Sequence, residues 1–422
     1  MRWLLSLFML FEIAFPLSLE ELLQSAVEKN PQLLSKRYAV EASRWNLKAD
    51  RQLYMPEILF NYKLTYQSEK QSFQLPAFGA FPPARFESSK QSYKSLQAGI
   101  RQLLFDGGGR SAKVELSRSL LFISEKDYEE SLLELKLEVI NAYLDLLSAQ
   151  ELLEVSKKRV EALQSELYQR EAFFKEGLVA ITDVLQARVR LAQAQRELRE
   201  AEGNYRIALS NLSRLTGIEE EKLKDLKKIQ VEPKVESLEE LILKALQKRP
   251  ILKLYAQRIR LSEVQRKAEL SNMYPKAFVE ALYNYSDQNP VVSPKGFFTL
   301  SGGISWSFQG LSSYYKALSH VEEEKKAREE LKDLQDKLRL AIKKAYENYL
   351  TAKDNLKVAE ENLRFAEEYY RLSKEQYKNQ IISGTDLLQA EAELTQARKA
   401  RIIAYYELLK AYYRLLRERG EL

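Results

Sequence analysis

The sequence predicts a mainly α fold with a small β part. It reads as a long, coiled-coil-like α-helical barrel joined to four strands per chain that contribute to a shared 12-stranded transmembrane β-barrel. Three observations predict it. The chain contains two copies of one unit, each copy carries helices far longer than a compact domain needs, and each copy carries a pair of alternating strands of bilayer-crossing length.

The repeat comes first because every later element is placed by it. Leu19-Glu20-Glu21-Leu22 with Asn30-Pro31 recurs 219 residues on as Leu238-Glu239-Glu240-Leu241 with Arg249-Pro250, and Tyr54-Met55-Pro56 and Met273-Tyr274-Pro275 keep that offset. Past the strands the offset falls to 204 for Gly99-Ile100 against Gly303-Ile304, and to 203 for Thr182-Asp183-Val184-Leu185-Gln186-Ala187 against Thr385-Asp386-Leu387-Leu388-Gln389-Ala390. The first hairpin loop is therefore 15 residues longer than the second. An insertion of that size is tolerated where the chain is exposed, which places the hairpin tips in solvent.

Repeat 1 spans 19–217, with a helix over 20–53, a β-hairpin over 57–105, a long helix over 111–174 and a helix over 183–214. Residues 218–236 form a linker, or equatorial segment. Repeat 2 spans 237–422, with a helix over 238–272, a hairpin over 276–308, a long helix over 312–378 and a helix over 386–418. In each copy the two shorter helices together match the long one, so they stack end to end beside it. At 1.5 Å per residue that makes a column about 100 Å tall.

The first long helix carries two apolar seams. One is Leu133, Leu137, Ile140, Leu144 and Leu147, spaced four and three. The other is Leu132, Leu135, Val139, Ala142, Leu146, Ala149 and Leu153, while Glu134, Glu138, Asn141, Asp145 and Ser148 form a polar face. Two seams let one helix pack neighbours on both sides, so a ring of helices becomes possible. The alternative is an ordinary antiparallel bundle.

The strand at Glu57 to Gln67 sets Ile58, Phe60, Tyr62, Leu64 and Tyr66 on one face and Glu57, Asn61, Lys63, Thr65 and Gln67 on the other, with Leu59 the one exception. Its repeat mate, Ala277 to Ser286, places Ala277, Val279, Ala281, Tyr283 and Tyr285 alike. Strands at Ser95 to Phe105 and Phe297 to Phe308 complete the set. Tyr62, Tyr66, Tyr283, Tyr285 and Trp306, with Phe297, form the expected aromatic girdle at the membrane interface. Four strands cannot close a barrel, and open edges are not tolerated in lipid, so the barrel is shared. Two chains would give a filled barrel and three a conduit, which favours a homotrimer in contact with outer membrane lipid. Two amphipathic hairpins over a soluble core are the alternative.

Composition excludes other classes. The 422 residues are 45% hydrophobic and 30% charged, with 14 Gly and 11 Pro, which favours long helices and a real core. Because 66 basic residues are interleaved with 60 acidic ones, the net charge of +6 forms no basic patch, and no nucleic-acid partner is predicted. There is no cysteine, which excludes disulfides, thiol catalysis and an amino terminus lipidated on cysteine. The single histidine, His320, sits in a charged helix, and Asp106-Gly107-Gly108-Gly109 lacks the Lys-Ser/Thr of a phosphate loop. No catalytic residue, cofactor or metal ligand is predicted. Residues 1–18, with Arg2, an apolar run from Trp3 to Phe11, then Ala14, Pro16 and Ser18, read as a signal peptide; a short buried helix is the alternative, since Glu12 interrupts the pattern.

At the junctions the sequence closely resembles the TolC family of outer membrane efflux and secretion ducts. Gln102-Leu103-Leu104-Phe105-Asp106-Gly107-Gly108 resembles the family's strand-to-helix turn, and Glu176-Gly177-Leu178-Val179-Ala180-Ile181-Thr182-Asp183-Val184 its helix-to-helix tip. The resemblance covers nearly the whole chain after the signal segment. It implies an outer membrane protein extending into the periplasm, a passive trimeric duct working with a periplasmic adaptor (membrane fusion) protein and an inner membrane transporter of RND, ABC or MFS type. The rival reading is a periplasmic coiled-coil adaptor or scaffold with no pore.

The resemblance also assigns roles to the tips. Gly177, Leu178, Val179, Thr182, Ile381, Ser383, Gly384 and Thr385 correspond to adaptor-contacting turns. Asp386 matches an acidic position lining the constriction, where three-fold symmetry would raise its pKa, and Gln389 stands at the next acidic position. Tyr377 and Asp183 match a latching pair, while Ile382 and Gln380 replace an arginine and a glycine of the family pattern. From the residues alone, Thr182 or Asp183 and Thr385 or Asp386 are candidate helix caps. The tips have diverged, copy one for coupling and copy two for the gate.

Overall fold

A computed structural model describes residues 16–229, 231, 233–307 and 309–422. The expected signal segment lies outside the described residues up to position 15, as does Phe308.

The elements run α1 (Leu19–Lys29), α2 (Pro31–Arg51), β1 (Glu57–Tyr66), β2 (Ser72–Leu75), β3 (Ala84–Glu87), β4 (Ser92–Phe105), α3 (Gly109–Lys175) and α4 (Ile181–Thr216). The second half follows as α5 (Leu238–Lys248), α6 (Pro250–Ser271), β5 (Lys276–Ser286), β6 (Gly296–Ser305), α7 (Ser312–Lys378) and α8 (Gly384–Arg419). The repeat holds residue for residue in places: α3 and α7 each have 67 residues, α4 and α8 each have 36, and α1 and α5 each have 11.

The leading helix expected in each copy is two helices. Asn30 and Arg249 adopt extended backbone, with ψ of 121° in both, immediately before Pro31 and Pro250. Proline sterically disfavours the helical conformation in the residue before it, and its fixed φ suits the first position of the next helix. Asn30 also caps that next helix, its Oδ1 accepting from the N–H groups of Gln32 and Leu33. Ser18 and Ser237 cap α1 and α5 by accepting from Glu21 N and Glu240 N.

The chain divides into two compact units. The first comprises residues up to Tyr38, Lys126–Lys253 and Lys332–Leu422. Its largest core draws Leu22 and Ala26 from α1, Val139, Ile140, Tyr143, Leu144 and Leu147 from α3, Leu209 and Leu212 from α4, and Tyr406 and Leu409 from α8. Both seams of α3 are thus buried over 133–147, as two-sided packing requires. The equatorial segment closes this core. Leu223 and Leu226 enter it, Leu17 bridges Leu226 in parallel, and the buried Tyr143 donates its hydroxyl to the Lys227 carbonyl. A second core joins Leu241 and Ala245 of α5 to Ile342, Ala345 and Tyr349 of α7 and Leu408 and Leu415 of α8.

The second unit, Ala39–Glu125 and Leu254–Leu331, holds the strands. They form one antiparallel sheet in the order β1-β4-β5-β6, with β2 and β3 a separate two-stranded hairpin inside the longer loop. Pairing of Phe60 with Ala98, Ala98 with Tyr283, and Tyr283 with Phe298 puts those four side chains on one face, because side chains alternate along each strand. The same register places Phe298 on the face of Tyr283. Phe297 pairs with Asn284 on the opposite face, away from the other expected girdle residues of the sheet.

At the junction of β4 and α3, Asp106 Oδ2 accepts from Arg110 N at 2.7 Å and from Arg110 Nε at 3.2 Å, capping the start of the long helix. Arg110 Nη1 also donates to the Leu103 carbonyl at 2.8 Å, so the strand's end and the helix's start are tied by one side chain.

Candidate functional site

Two regions carry the chemistry: the helical turns between α3 and α4 and between α7 and α8, and the exposed face of the four-stranded sheet.

Each turn reverses the chain through one left-handed residue. In the first, Gly177 has φ +77° and its N–H donates to Phe174 O, while Leu178 N donates to Phe173 O. In the second, Gln380 takes the same place with φ +57°, and Gln380 N and Ile381 N donate to Tyr377 O and Gln376 O. The bond pattern is that of a Schellman closure, which glycine accommodates freely and glutamine does not. The loss of glycine thus leaves the turn intact and adds strain to it.

The caps differ from expectation. The residue before α4 is Ala180, which offers no side-chain acceptor, so Thr182 and Asp183 lie inside the first turn rather than at its cap. The residue before α8 is Ser383, whose Oγ accepts from Asp386 N at 3.3 Å, while Asp386 Oδ2 accepts from Ser383 N at 3.0 Å and from Ser383 Oγ at 2.7 Å. Asp386 is the reciprocal partner of a capping box, and Thr385 is not a cap. The Ser383 hydroxyl, then its N–H, hold the Asp386 carboxyl below the usual range, the reverse within one protomer of the rise expected at a three-fold axis.

Asp386, Gln389 and Glu393 are all exposed along α8, and Gln389 Nε2 donates to Glu393 Oε1 at 2.9 Å. A carboxylate therefore stands one turn beyond the position that Gln389 occupies. Among the described residues, Asp183 and Tyr377 are not hydrogen-bonded to each other. Tyr377 instead lies beside Gly384, where an added Cβ would be 3.6 Å from its ring and 3.0 Å from the Arg170 guanidinium. Arg170 of copy one, paired with Glu166 at 3.0 Å, thus reaches the start of copy two's returning helix. Sequence reasoning missed it, although an acid four residues before an arginine on a helix is a pairing signal.

Glu391 was missed as well. It borders two clefts under the turns, one of about 630 Å³ lined also by Arg159, Tyr370 and Arg398, the other sharing Arg159 and containing Arg190 and Gln389. Burial, reinforced by the charge of Glu166, raises its pKa against the opposing pull of Arg159, Lys374 and Arg190. Copy one's turn is apolar by contrast. Leu178, Ile181, Leu185 and Val189 are exposed, the last three at four-residue spacing along α4. Gly177 and Thr182 are exposed beside them and Val179 is partly covered; in copy two Ile381, Ser383 and Thr385 are exposed.

On the sheet, Ile58, Phe60, Tyr62, Leu64 and Tyr66 of β1, Ile100 of β4, and Phe298, Leu300 and Ile304 of β6 are exposed on one face, with Tyr283 and Tyr285 of β5 beside them. Tyr283 stacks on Phe298 with ring centroids 5.0 Å apart. Trp306 lies just past β6, exposed, its Nε1 donating to Met273 O at 3.1 Å. The opposite face carries the charged and amide groups, with Leu59, Phe278, Leu282 and Phe297 among them: Arg101 pairs with Glu280 at 2.7 Å, and Gln97, Asn284 and Thr299 form a hydrogen-bonded row across three strands. Among the described residues both edges, β1 and β6, are unpaired. Among the described residues no helix is long and apolar enough to cross a membrane, and no group of acidic and histidine side chains gathers as a metal site.

A family model described as outer membrane efflux protein matches residues 22–218 and 241–420, one match for each structural repeat. The chain belongs to the outer membrane efflux protein family. Among curated proteins it is 29% identical over 220 residues to the alkaline protease secretion protein AprF of Pseudomonas aeruginosa, covering 51% of this chain and 44% of that protein. It is 27% identical over 210 residues to the outer membrane protein TolC of Salmonella enteritidis, covering 46% and 40%. The matched segments thus span less than half the length of either relative. Among solved structures, the outer membrane protein VceC of Vibrio cholerae superposes with TM-score 0.77 at 15% identity over 96% of both chains. The Campylobacter jejuni outer membrane channel CmeC gives 0.79 at 17% identity over 95% of this chain and 85% of that one. These likenesses show the fold: long helices with a four-stranded antiparallel sheet.

Proposed function

We propose that the chain is the outer membrane channel subunit of a tripartite efflux or type I secretion system, a passive homotrimeric duct through the outer membrane that continues into the periplasm. The observation that carries this reading is the sheet. One face is apolar and exposed, the other carries the charged and amide groups, and both edges are open. Unpaired backbone groups are not stable in lipid, so copies of the chain must close the barrel. Three copies supply 12 strands, wide enough to leave a conduit lined by the Arg101–Glu280 face.

The turns supply the rest. The exposed stripe of Leu178, Ile181, Leu185 and Val189 suits an apolar helical partner, which supports an adaptor at copy one's turn. Asp386, with Glu393 behind Gln389, supports a ring of carboxylates around the axis at copy two's turn, a barrier that retains cations. Asp183 and Tyr377 would act as the latch between neighbouring turns, with Arg170 steadying the base of copy two's. Energy comes from an inner membrane transporter of RND, ABC or MFS type. AprF is by name a secretion protein and CmeC a channel, so the cargo is set by the transporter.

The test is fractionation. The protein is expected in the outer membrane fraction as a trimer that resists dissociation until heated. A soluble periplasmic monomer would overturn the reading in favour of a scaffold without a pore.

A further inference from the structure

We propose that the β2–β3 hairpin of one protomer docks on the turn between β5 and β6 of the next, forming an apolar clasp around the outer rim of the barrel. The proposal rests on the trimeric reading above.

The hairpin is the 15-residue excess of the first loop, and it is firmly built. Gln71 N donates to the buried Ser89 Oγ at 3.0 Å, Ser88 N donates to Gln71 O at 2.8 Å, and the Gln67 side chain donates to Ser89 Oγ and to Lys90 O. Phe73 pairs with Phe86 and Leu75 with Ala84, so one face is apolar. At the tip Phe78 and Phe81 exchange backbone hydrogen bonds at 3.1 and 3.3 Å. From Leu75 to Ala84 there is no charged residue, and Phe78 and Phe81 are 84% and 76% exposed. A cluster of aromatic side chains this exposed on an uncharged hairpin tip marks an interaction surface.

The complementary surface is on the same chain. In the turn between β5 and β6, Val291 and Val292 are 74% and 55% exposed, flanked by Pro290 and Pro294. The chain's own turn touches the hairpin's base on the β4 side, where Lys90 N donates to Gln288 O at 2.7 Å, yet both apolar sets stay uncovered. The β1 side is open, because β1 is an edge strand. Antiparallel closure pairs β1 with β6 of the next protomer, and the start of that β6 brings its own Val291 and Val292 against the uncovered side. The occupant is thus a second copy, placed by continuity with the strand pairing that closes the barrel.

The natural absence of cysteine makes the test direct. F78C combined with V292C, and F81C combined with V291C, are oxidised in the detergent-purified trimer, and the products are separated under denaturing conditions. At least one pair is expected to move most of the chain into covalent dimers and trimers, with each single variant remaining monomeric. An intrachain disulfide, no cross-link in an intact trimer, or cross-linking of F78C with itself across the axis would each overturn the clasp. So would quenching of an F78W variant by lipids brominated in their acyl chains, which would place the hairpin in the membrane instead. Native mass of the unaltered protein separates the two levels: a monomer there defeats the trimer, while a trimer without the cross-link defeats only the clasp.

Discussion

Arg249 donates through Nη1 to both the side chain and the carbonyl of Glu418, at 2.9 and 3.2 Å, and through Nη2 to Glu130 at 2.6 Å. One repeat earlier, Asn30 Nδ2 donates to the Leu215 carbonyl at 3.4 Å. The residue before each helix-starting proline therefore ties off the carboxyl end of the returning helix, once with a neutral amide and once with a buried guanidinium. Arg417 completes the second cluster, pairing with Glu130, Glu134 and Glu418.

Replacing Arg249 with Met should remove a buried cation and leave Glu130 and Glu418 sharing Arg417. Breaking such a pair from one side costs about 3–5 kcal/mol. Arg249→Asn, which restores copy one's arrangement at the carbonyl, should lose less than Arg249→Met. Denaturant unfolding followed by circular dichroism orders the three proteins; equal midpoints would show that the cluster contributes nothing.

Gln380→Gly should stabilise the second turn. A non-glycine residue in the left-handed region costs about 1 kcal/mol, which the substitution relieves, against a smaller gain in unfolded-chain entropy. The reciprocal change, Gly177→Gln, should cost a similar amount. Hydrogen exchange of the Gln380 and Ile381 amides, which close the turn, reads this locally: slower exchange is expected in Gln380→Gly and faster exchange of Leu178 in Gly177→Gln.

Glu391 sets a pH dependence. Its folded pKa is raised, so the stability it contributes is fully present below its unfolded value near 4.5 and is lost as pH rises through the folded value. Glu391→Gln should therefore raise the melting temperature at pH 7 and make no difference at acid pH. A constant offset at every pH would mean that packing, not ionisation, governs the cleft.

Combined Asp386→Ala and Tyr377→Phe substitution should raise single-channel conductance in planar bilayers, because the proposed carboxylate ring and latch hydroxyl are removed together. Unchanged conductance would remove the gate from this turn. Ser383→Ala alone should free the Asp386 carboxyl, moving its titration upward toward the ordinary range, a shift visible in the pH dependence of cation selectivity.

Much of this molecule was legible from residue order because periodicity and repetition are local properties. Apolar spacing of four and three fixes which side of α3 is buried, and strict alternation in β1 fixes two faces of a strand, whatever surrounds them. The strand-to-helix turn at Asp106 shows in its motif, whereas the capping of α3 through Arg110 emerges only in the structure. Legibility failed where a choice depends on distant partners. Phe297 and Phe298 are adjacent and both aromatic, and only the register against Asn284 and Tyr283 assigns one to each face. Arg170 and Glu391 gain their roles from helices remote in sequence.

By itself the sequence determined the repeat, the helix and strand classes and the exposed insertion, because period-two alternation, two-sided seams and a change of repeat offset are all written along the chain. Only the tertiary structure decided where the leading helices break, which residue caps each turn, how the insertion folds and how Arg249 is neutralised. The last of these rests on hydrogen bonds between groups far apart in the chain, 169 residues for Arg249 with Glu418, and a pattern along the chain does not encode such a distance.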